Sequence, residues 1–365
     1  MWMVSAACFL FALAVSAAAN RLLIRVAPRL GFVDRPSGHK AHAAATPLGG
    51  GLAITAGVIA TAGLGAAGVL FLSASPDAAG LPESIAVHVP GLLSSLEGLG
   101  AVLSGALLLT LMGLVDDRRG LSPGTKLLFQ VAAGGILVAG GISVTLFLPG
   151  RLAGSLVTVV WIVFVTNAFN LLDNMDGLSA GVALVISAVF FVVAVETGQL
   201  FIAAFLSVTA GALLGFLLFN FPPAKIFMGD AGSYTVGYLL GATAVMFTFI
   251  PEGAAHVRGL PLALPFILFA VPFYDTLSVI VIRLREGRHP FDADRRHFSH
   301  RLTDLGMNTR EAVLTIYVAT LVTAFPAVYL YELTSFALLG AVAQALLVLC
   351  LVALLEEAGA RKHRL

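Results

Sequence analysis

The feature that most constrains this chain is the recurrence, from one end to the other, of apolar runs near 20 residues long with no long polar segment between them. A helix rises 1.5 Å per residue, so about 20 apolar residues cross the roughly 30 Å of bilayer hydrocarbon. The runs predict eleven spans, at 2–20, 48–72, 98–115, 127–148, 152–172, 178–195, 200–221, 232–250, 260–282, 312–331 and 336–355. They lack period-two alternation, and an open sheet edge cannot be satisfied in lipid, so crossing strands are not expected. The composition agrees: 59% of the 365 residues are apolar and 11% charged, against roughly 25% charged in soluble proteins. A soluble domain and a disordered tail are both excluded. The expectation is a single all-α polytopic membrane domain over 1–365.

The formal net charge is +1, so no bulk field marks a nucleic-acid partner, and the distribution of charge carries the information. Of 21 Lys and Arg, 19 fall on alternate connections: Arg21 to Lys40, Arg118 to Lys126, Lys225, the arginines from Arg283 to Arg310, and the C-terminal tail. Only Arg151 and Arg258 lie opposite. The positive-inside rule then puts the N-terminus outside and the C-terminus in the cytoplasm, as an odd span count requires. The first run ends in Ser-Ala-Ala-Ala like a signal peptide, but no basic residue precedes it and Arg21, Arg25 and Arg29 follow, so it is expected to stay as a span. Residues 73–97, without Lys or Arg, read as an external loop. Cys8 and Cys350 have no paired spacing and read as lipid-facing or packing residues.

On this topology the unusual polar residues gather on the cytoplasmic side, in loops 21–47, 116–126, 173–177, 222–231 and 283–311. Asp116 and Asp117 end the third run, where a helix C-terminus disfavours negative charge; they call for a cation, or pair with Arg118 and Arg119 as a solvated boundary. Asn167, Asn170, Asp173 and Asp176 recur every third position, each about 4.5 Å further along one helix face. Such a polar ramp lines a cavity or bonds a neighbouring helix. Asp230 follows Pro222, Pro223, Phe227 and Gly229 and precedes the next run, either holding a cation beside free backbone N–H groups that face a phosphate, or acting as an N-cap.

The segment Arg288 to Arg301, with Arg295, His297 and His300, suits anionic oxygens better than a zinc site, since no cysteine or third histidine adjoins the His297–His300 pair to complete a tetrahedron; the alternative is a positive-inside anchor. The first cytoplasmic loop adds Asp34, His39, Lys40, His42 and the turn Gly49-Gly50-Gly51, which faces a ligand or packs closely. Asp275 is the ionisable residue deep within a run, lining a polar cavity or bonding a neighbouring helix.

Taken in order, Asp116-Asp117, the stretch Asn167 to Gly177, Phe227-Met228-Gly229-Asp230-Ala231-Gly232-Ser233 and Asp294-Arg295-Arg296-His297-Phe298-Ser299-His300 resemble the polyprenyl-phosphate N-acetylhexosamine-1-phosphate transferases of glycosyltransferase family 4. The resemblance covers about residues 34–302 and is nearest the WecA-type branch, related to the MraY-type branch. It implies transfer of a sugar 1-phosphate, N-acetylglucosamine 1-phosphate first, from a UDP-sugar to undecaprenyl phosphate with release of UMP, at the cytoplasmic face of a bacterial inner membrane. It further implies that Asn170 and Asp230 bind magnesium, with manganese as the substitute. Asp116 and Asp117 would lie beside the transferring phosphate, Lys126 on the pyrophosphate, Phe227 stacked on uracil and Asp176 on the base edge. Lys40, His42, Asn167, Asp173, Arg295, His297 and His300 complete the expected substrate site. The partners implied are the UDP-sugar, the polyprenyl phosphate and membrane lipid, with a homodimer left open.

The chain departs from the family pattern at Asn174, where the motif has glycine, at Ser299, where it has histidine, and at His39-Lys40, where it has Arg-Lys. These positions bear on which UDP-N-acetylhexosamine, or UDP-N-acetylmuramoyl-pentapeptide, is the donor. The reaction brings several phosphate charges together, so cation compensation precedes proton chemistry. Direct attack by the lipid phosphate and a covalent aspartyl-phosphate route both remain open. A transporter is the rival from another class, but its polar residues would sit near the midplane.

Overall fold

The structure, a computed structural model, describes residues 2–34, 45–74, 88–144, 150–247, 263–289, 296–329 and 335–362. Fourteen helices carry nearly all of them: α1 Trp2–Val26, α2 Gly50–Ala74, α3 Val89–Ser94, α4 Leu96–Arg119, α5 Pro123–Ala139, α6 Arg151–Leu172 and α7 Leu178–Glu196, then α8 Leu200–Asn220, α9 Gly229–Met246, α10 Leu264–Leu268, α11 Ala270–Arg285, α12 Phe298–Asp304, α13 Thr309–Ala324 and α14 Ser335–Lys362. Among the described residues, seven helices are long and apolar enough to cross a membrane: α1, α2, α4, α6, α7, α8 and α13, the first and last prolonged by 3-10 turns. The chain is an all-α multi-pass membrane protein.

The other four expected spans take different forms. The run 127–148 contributes α5, 17 residues long, and 336–355 lies within α14, which is apolar over Leu339–Leu354. The run 260–282 is broken at Phe269 into α10 and α11; Pro265 and Pro272 flank the break, and Pro272 has no N–H to carry the helical ladder across it. The run 232–250 falls in α9, rich in glycine and threonine, whose residues 231–244 are all buried. A helix enclosed by protein need not match lipid, so its side chains are chosen for close packing.

That burial makes α9 the centre of the bundle, packed between α4 and α6. Both neighbours run antiparallel to it, since Gly105 and Gly113 of α4 abut Tyr238 and Ala231, and Val165 and Ile162 of α6 abut Gly237 and Gly241. Thr55, Thr110 and Thr235 join α2, α4 and α9 through hydroxyl contacts of 2.8 Å. Further out, α1 packs along α8 and α2, with the Ser16 hydroxyl donating to Ala212 O at 2.8 Å.

Strands do occur outside the apolar runs. β1 Val33–Asp34 pairs antiparallel with β2 Thr46–Pro47, in the register Val33 to Pro47 and Asp34 to Thr46. Leu48 then bridges to Phe227, tying the first loop to the start of α9. Within the stretch read as an external loop, 88–95 includes the short helix α3.

Candidate active site

Close backbone approach brings the end of α4 to the start of α9. A Cβ added to Gly113 would stand 2.3 Å from the Cα of Ala231, and one added to Gly51 would stand 2.1 Å from the backbone nitrogen of Gly232. The turn Gly49-Gly50-Gly51 therefore packs closely, with the N–H groups of Gly50 and Gly51 donating to Phe227 O and Met228 O, each at 2.9 Å.

This approach changes the reading of Asp117. Its Oδ1 accepts from the Asp230 N–H at 2.7 Å and its Oδ2 from the Ala231 N–H at 3.3 Å, so a residue of α4 caps α9, whose own N-cap, Met228, provides no side-chain bond. Two N–H groups expected to be free for a phosphate are thus occupied. The carboxylate that ends α4 unfavourably is answered by the positive end of α9.

Asp230, relieved of capping, turns its carboxylate to other partners. Its Oδ2 accepts from Lys126 Nζ at 3.1 Å, and its Oδ1 from Asn170 Nδ2 at 2.9 Å; the same Asn170 amide contacts Ser233 Oγ at 2.9 Å. Lys126 also ion-pairs with Asp116, whose Oδ1 accepts from the Leu121 N–H at 2.6 Å. The ammonium lies 5.9 Å from the Tyr234 ring centroid, within cation–π range. Four helices, α4, α5, α6 and α9, thereby bring Asp116, Asp117, Lys126, Asn170 and Asp230 to one end of the bundle. Asp173 follows α6 at the same end; burial, reinforced by the negative charges of Asp230, Asp117 and Asp176, holds its carboxyl well above the usual carboxylate range.

The donor set suits a hard cation. Among the described residues no three or more His, Cys, Asp and Glu form a complete metal cage, whereas a magnesium-like ion keeps several waters and takes one or two carboxylates plus substrate phosphate. The Asn170 amide stands 2.9 Å from Asp230 Oδ1, close to the roughly 3 Å between adjacent corners of an octahedron with bonds of about 2.1 Å. Turning the amide presents its oxygen there.

The other expected site residues divide. Asn167 is bound to its neighbours: its Nδ2 donates to Gln130 Oε1 at 2.6 Å and to Val163 O at 2.8 Å, and its Oδ1 accepts from Gln130 Nε2 at 3.3 Å. The start of the polar ramp is an interhelical bond between α5 and α6. Asp176 Oδ2 accepts from the Ala224 N–H at 2.9 Å, and Phe227, half-buried, takes its place through its backbone N–H to Pro47 O at 2.9 Å. His297 is buried with Nδ1 2.9 Å from Asp275 Oδ2, while Asp275 Oδ1 accepts from the Phe298 N–H at 2.6 Å. Asp275 thus bonds a neighbouring segment. His300 is half-buried one turn along α12. Lys40, His42 and Arg295 lie outside the described residues.

Several residues without an expected role support this end of the bundle. Asn220 accepts from the Gly177 N–H and donates to Ile226 O, both at 2.8 Å. The Tyr317 hydroxyl donates to Gly177 O at 2.5 Å, and Arg310 Nε to Pro222 O at 2.8 Å. Asp176, Pro222, Pro223, Asn308, Thr309 and Arg310 line a cleft of about 440 Å³. Gln130, a polar residue four after Lys126 in an apolar helix, and the Asn308–Glu311 capping box were visible as local signals. Tyr317 had none, because only the fold brings α13 to Gly177.

Comparison with known proteins places this geometry. The chain matches the sequence family described as glycosyl transferase family 4 over residues 99–248. It is 33% identical over 320 residues to a probable undecaprenyl-phosphate N-acetylglucosaminyl 1-phosphate transferase of Bacillus subtilis (strain 168), covering 85% of this chain and 80% of that one. It is 34% identical to the decaprenyl-phosphate N-acetylglucosaminephosphotransferase of Mycobacterium tuberculosis (strain ATCC 25618 / H37Rv), over 83% and 76% of the two chains. To the undecaprenyl-phosphate alpha-N-acetylglucosaminyl 1-phosphate transferase of Escherichia coli (strain K12) it is 28% identical, over 81% and 75%. With its carboxylates, Lys126 and Asn170 gathered at one end of a helical membrane bundle, the chain belongs to glycosyl transferase family 4, among the polyprenyl-phosphate N-acetylhexosamine-1-phosphate transferases.

Proposed function

We propose that this protein transfers N-acetylglucosamine 1-phosphate from UDP-N-acetylglucosamine to a polyprenyl phosphate, undecaprenyl phosphate first among them, releasing UMP. The observation that carries the reading is the convergence of Lys126 and Asn170 on the Asp230 carboxylate, in a chain whose relatives are named for this transfer. The proposed setting is an eleven-span protein of a bacterial inner membrane, with the site on the cytoplasmic side. Arg25, Arg118, Arg119 and Lys225 share the site's end of the bundle, which supports that orientation.

The proposed metal is magnesium, held by Asp230 and Asn170. Bound there, it would supply Lewis-acid compensation for phosphate charge. The residues of the chain do the rest. A lipid phosphate oxygen forms a bond to the sugar-side phosphorus of the donor while the bond from that phosphorus to the bridging oxygen breaks, and the electron pair leaves on UMP. Lys126 faces that leaving oxygen with its positive charge. A phosphate monoester has a second pKa of about 6 and reaches the site mostly as the dianion, so Asp116 need take a proton only from the fraction that arrives protonated. Phe227 and Asp176 are proposed to hold uracil by stacking and hydrogen bonding, and His297, His300 and Arg295 to face the anionic part of the donor.

Direct attack is favoured over an aspartyl-phosphate. Both oxygens of Asp117 accept backbone bonds at the start of α9, and Asp116 is held by Leu121 and Lys126. A nucleophilic role would surrender those bonds in the step itself.

The test uses the purified full-length protein in detergent with undecaprenyl phosphate, magnesium and UDP-N-acetylglucosamine, reading UMP and the lipid-linked sugar diphosphate. Both products are expected, and both are lost in Asp230→Ala. An active Asp230→Ala would sink the metal assignment, and no product from any UDP-N-acetylhexosamine would sink the transferase reading.

A further inference from the structure

Two of the positions at which this chain departs from its family's motifs meet in space. Asn174 lies in the loop between α6 and α7, and Ser299 in the first turn of α12, 125 residues later. The Ser299 hydroxyl donates a hydrogen bond to Asn174 Oδ1. Ser299 is 1% exposed, so its hydroxyl has little water to replace that acceptor. Asn174 in turn donates from Nδ2 to Leu171 O, in the last turn of α6, at 2.8 Å.

Each side of the contact is anchored independently. Asp275 grips the start of α12 through the Phe298 N–H and His297. Asn220 and Tyr317 grip the other loop through the N–H and carbonyl of Gly177. The Ser299–Asn174 bond joins the two bodies, one carrying His297 and His300 and the other Asp173 and Asp176. Glycine at 174 has no side chain to make this bond, and a histidine at 299 would bring a ring into a buried position that admits a hydroxyl. The two departures are chemically matched, donor to acceptor.

We infer that Asn174 and Ser299 form a latch that positions the 173–177 loop against α12 and thereby shapes the donor side of the site. The inference rests on the proposed transfer reaction. Both are positioning residues, acting through the side chains their segments carry.

The experiment is a double-mutant cycle in the full-length enzyme, with UDP-N-acetylglucosamine varied at fixed undecaprenyl phosphate and the reverse. Ser299→Ala and Asn174→Gly are each expected to raise the donor KM about ten-fold, the range set by an unpaired buried polar group. The double variant is expected to be no worse than the weaker single one, the sign of a shared interaction. The acceptor KM stays put, and Ser299→Thr, which keeps the hydroxyl, stays near the parent. Additive effects, or a fall in Vmax with an unmoved donor KM as lost folding alone would give, overturn the latch. If the parent enzyme releases no UMP, the transfer reading fails and the latch's role fails with it. Uncoupled variants of an active enzyme overturn the latch alone.

Discussion

Two ionisable centres in this bundle differ in how their acids are partnered. Asp275 is closed: its side chain is 1% exposed, one oxygen meets His297 and the other the Phe298 N–H. Asp230 is open: its side chain is 32% exposed, and it shares Lys126 with Asp116 while Asp117 and Asp173 add further carboxyl groups nearby. Both oxygens of the Asp275 carboxylate are thus bonded. Among the described residues, the second centre has more acidic groups than the one ammonium contacting them can balance, and its carboxylate is partly exposed. An acid enclosed in an apolar bundle is unusual, and its balance of partners separates a closed centre from an open one.

The largest effects should separate the two centres. Asp230→Ala is expected to lower UMP release by on the order of 10³-fold while leaving the thermal midpoint in detergent at or above that of the parent, because a crowded carboxylate is removed. Asp275→Ala should do the reverse at the level of folding, costing about 3–5 kcal/mol by stranding a buried partner, read as a lowered midpoint. Equal melting of the two variants would break the comparison.

A smaller effect tests the cap. Asp117→Ala should destabilise by about 1–2 kcal/mol, as for a lost helix N-cap, and Asp117→Asn by less, since the amide keeps one acceptor. Denaturant or thermal titration that finds Asp117→Ala as stable as the parent would overturn the capping role.

The smallest effect sharpens the open centre by pH. The folded pKa of Asp173 lies well above its ordinary 3.8, so the folded state holds its proton more tightly, and the stability associated with that proton is present in acid and lost as pH rises through the folded value. Relative to the parent, Asp173→Asn should therefore gain thermal stability as the pH is raised from about 4 toward neutrality, with chelator present throughout. A midpoint difference constant across that range would show that Asp173 is not held protonated.

Much of the fold was legible in sequence because lipid is a severe solvent: a helix that closes its own backbone bonds and shows apolar side chains is the form a single run can take there. The runs 2–20, 48–72, 98–115 and 178–195 all correspond to helices, and Asp116, Lys126, Asn170 and Asp230 do come together. What the structure adds to that reading has a common origin. The run 232–250 reads as a span like the others, and residues 231–244 of α9 are all buried in protein; the run 260–282 reads as continuous, and the structure divides it at Phe269. The ramp that Asn167 begins reads as lining a cavity or bonding a neighbouring helix, and the structure gives Asn167 the neighbour, Gln130 on α5. Periodicity reports which residues share a face and says nothing about what the face meets.

The sequence by itself determined that this protein is a helical membrane bundle and where along the chain its acids, amides and basic residues stand, since those follow from local run length, spacing and charge. Only the tertiary structure decided which acid caps a helix, which stays open and which two departures from the motif form a bond. Those outcomes depend on close approach between segments more than 100 residues apart, as where Asp117 reaches the start of α9 and Ser299 reaches Asn174. Such contacts are set by the packing of whole segments, as where Gly51 and Gly113 let α2 and α4 close on the start of α9, and the spacing of residues along one segment does not specify its partner.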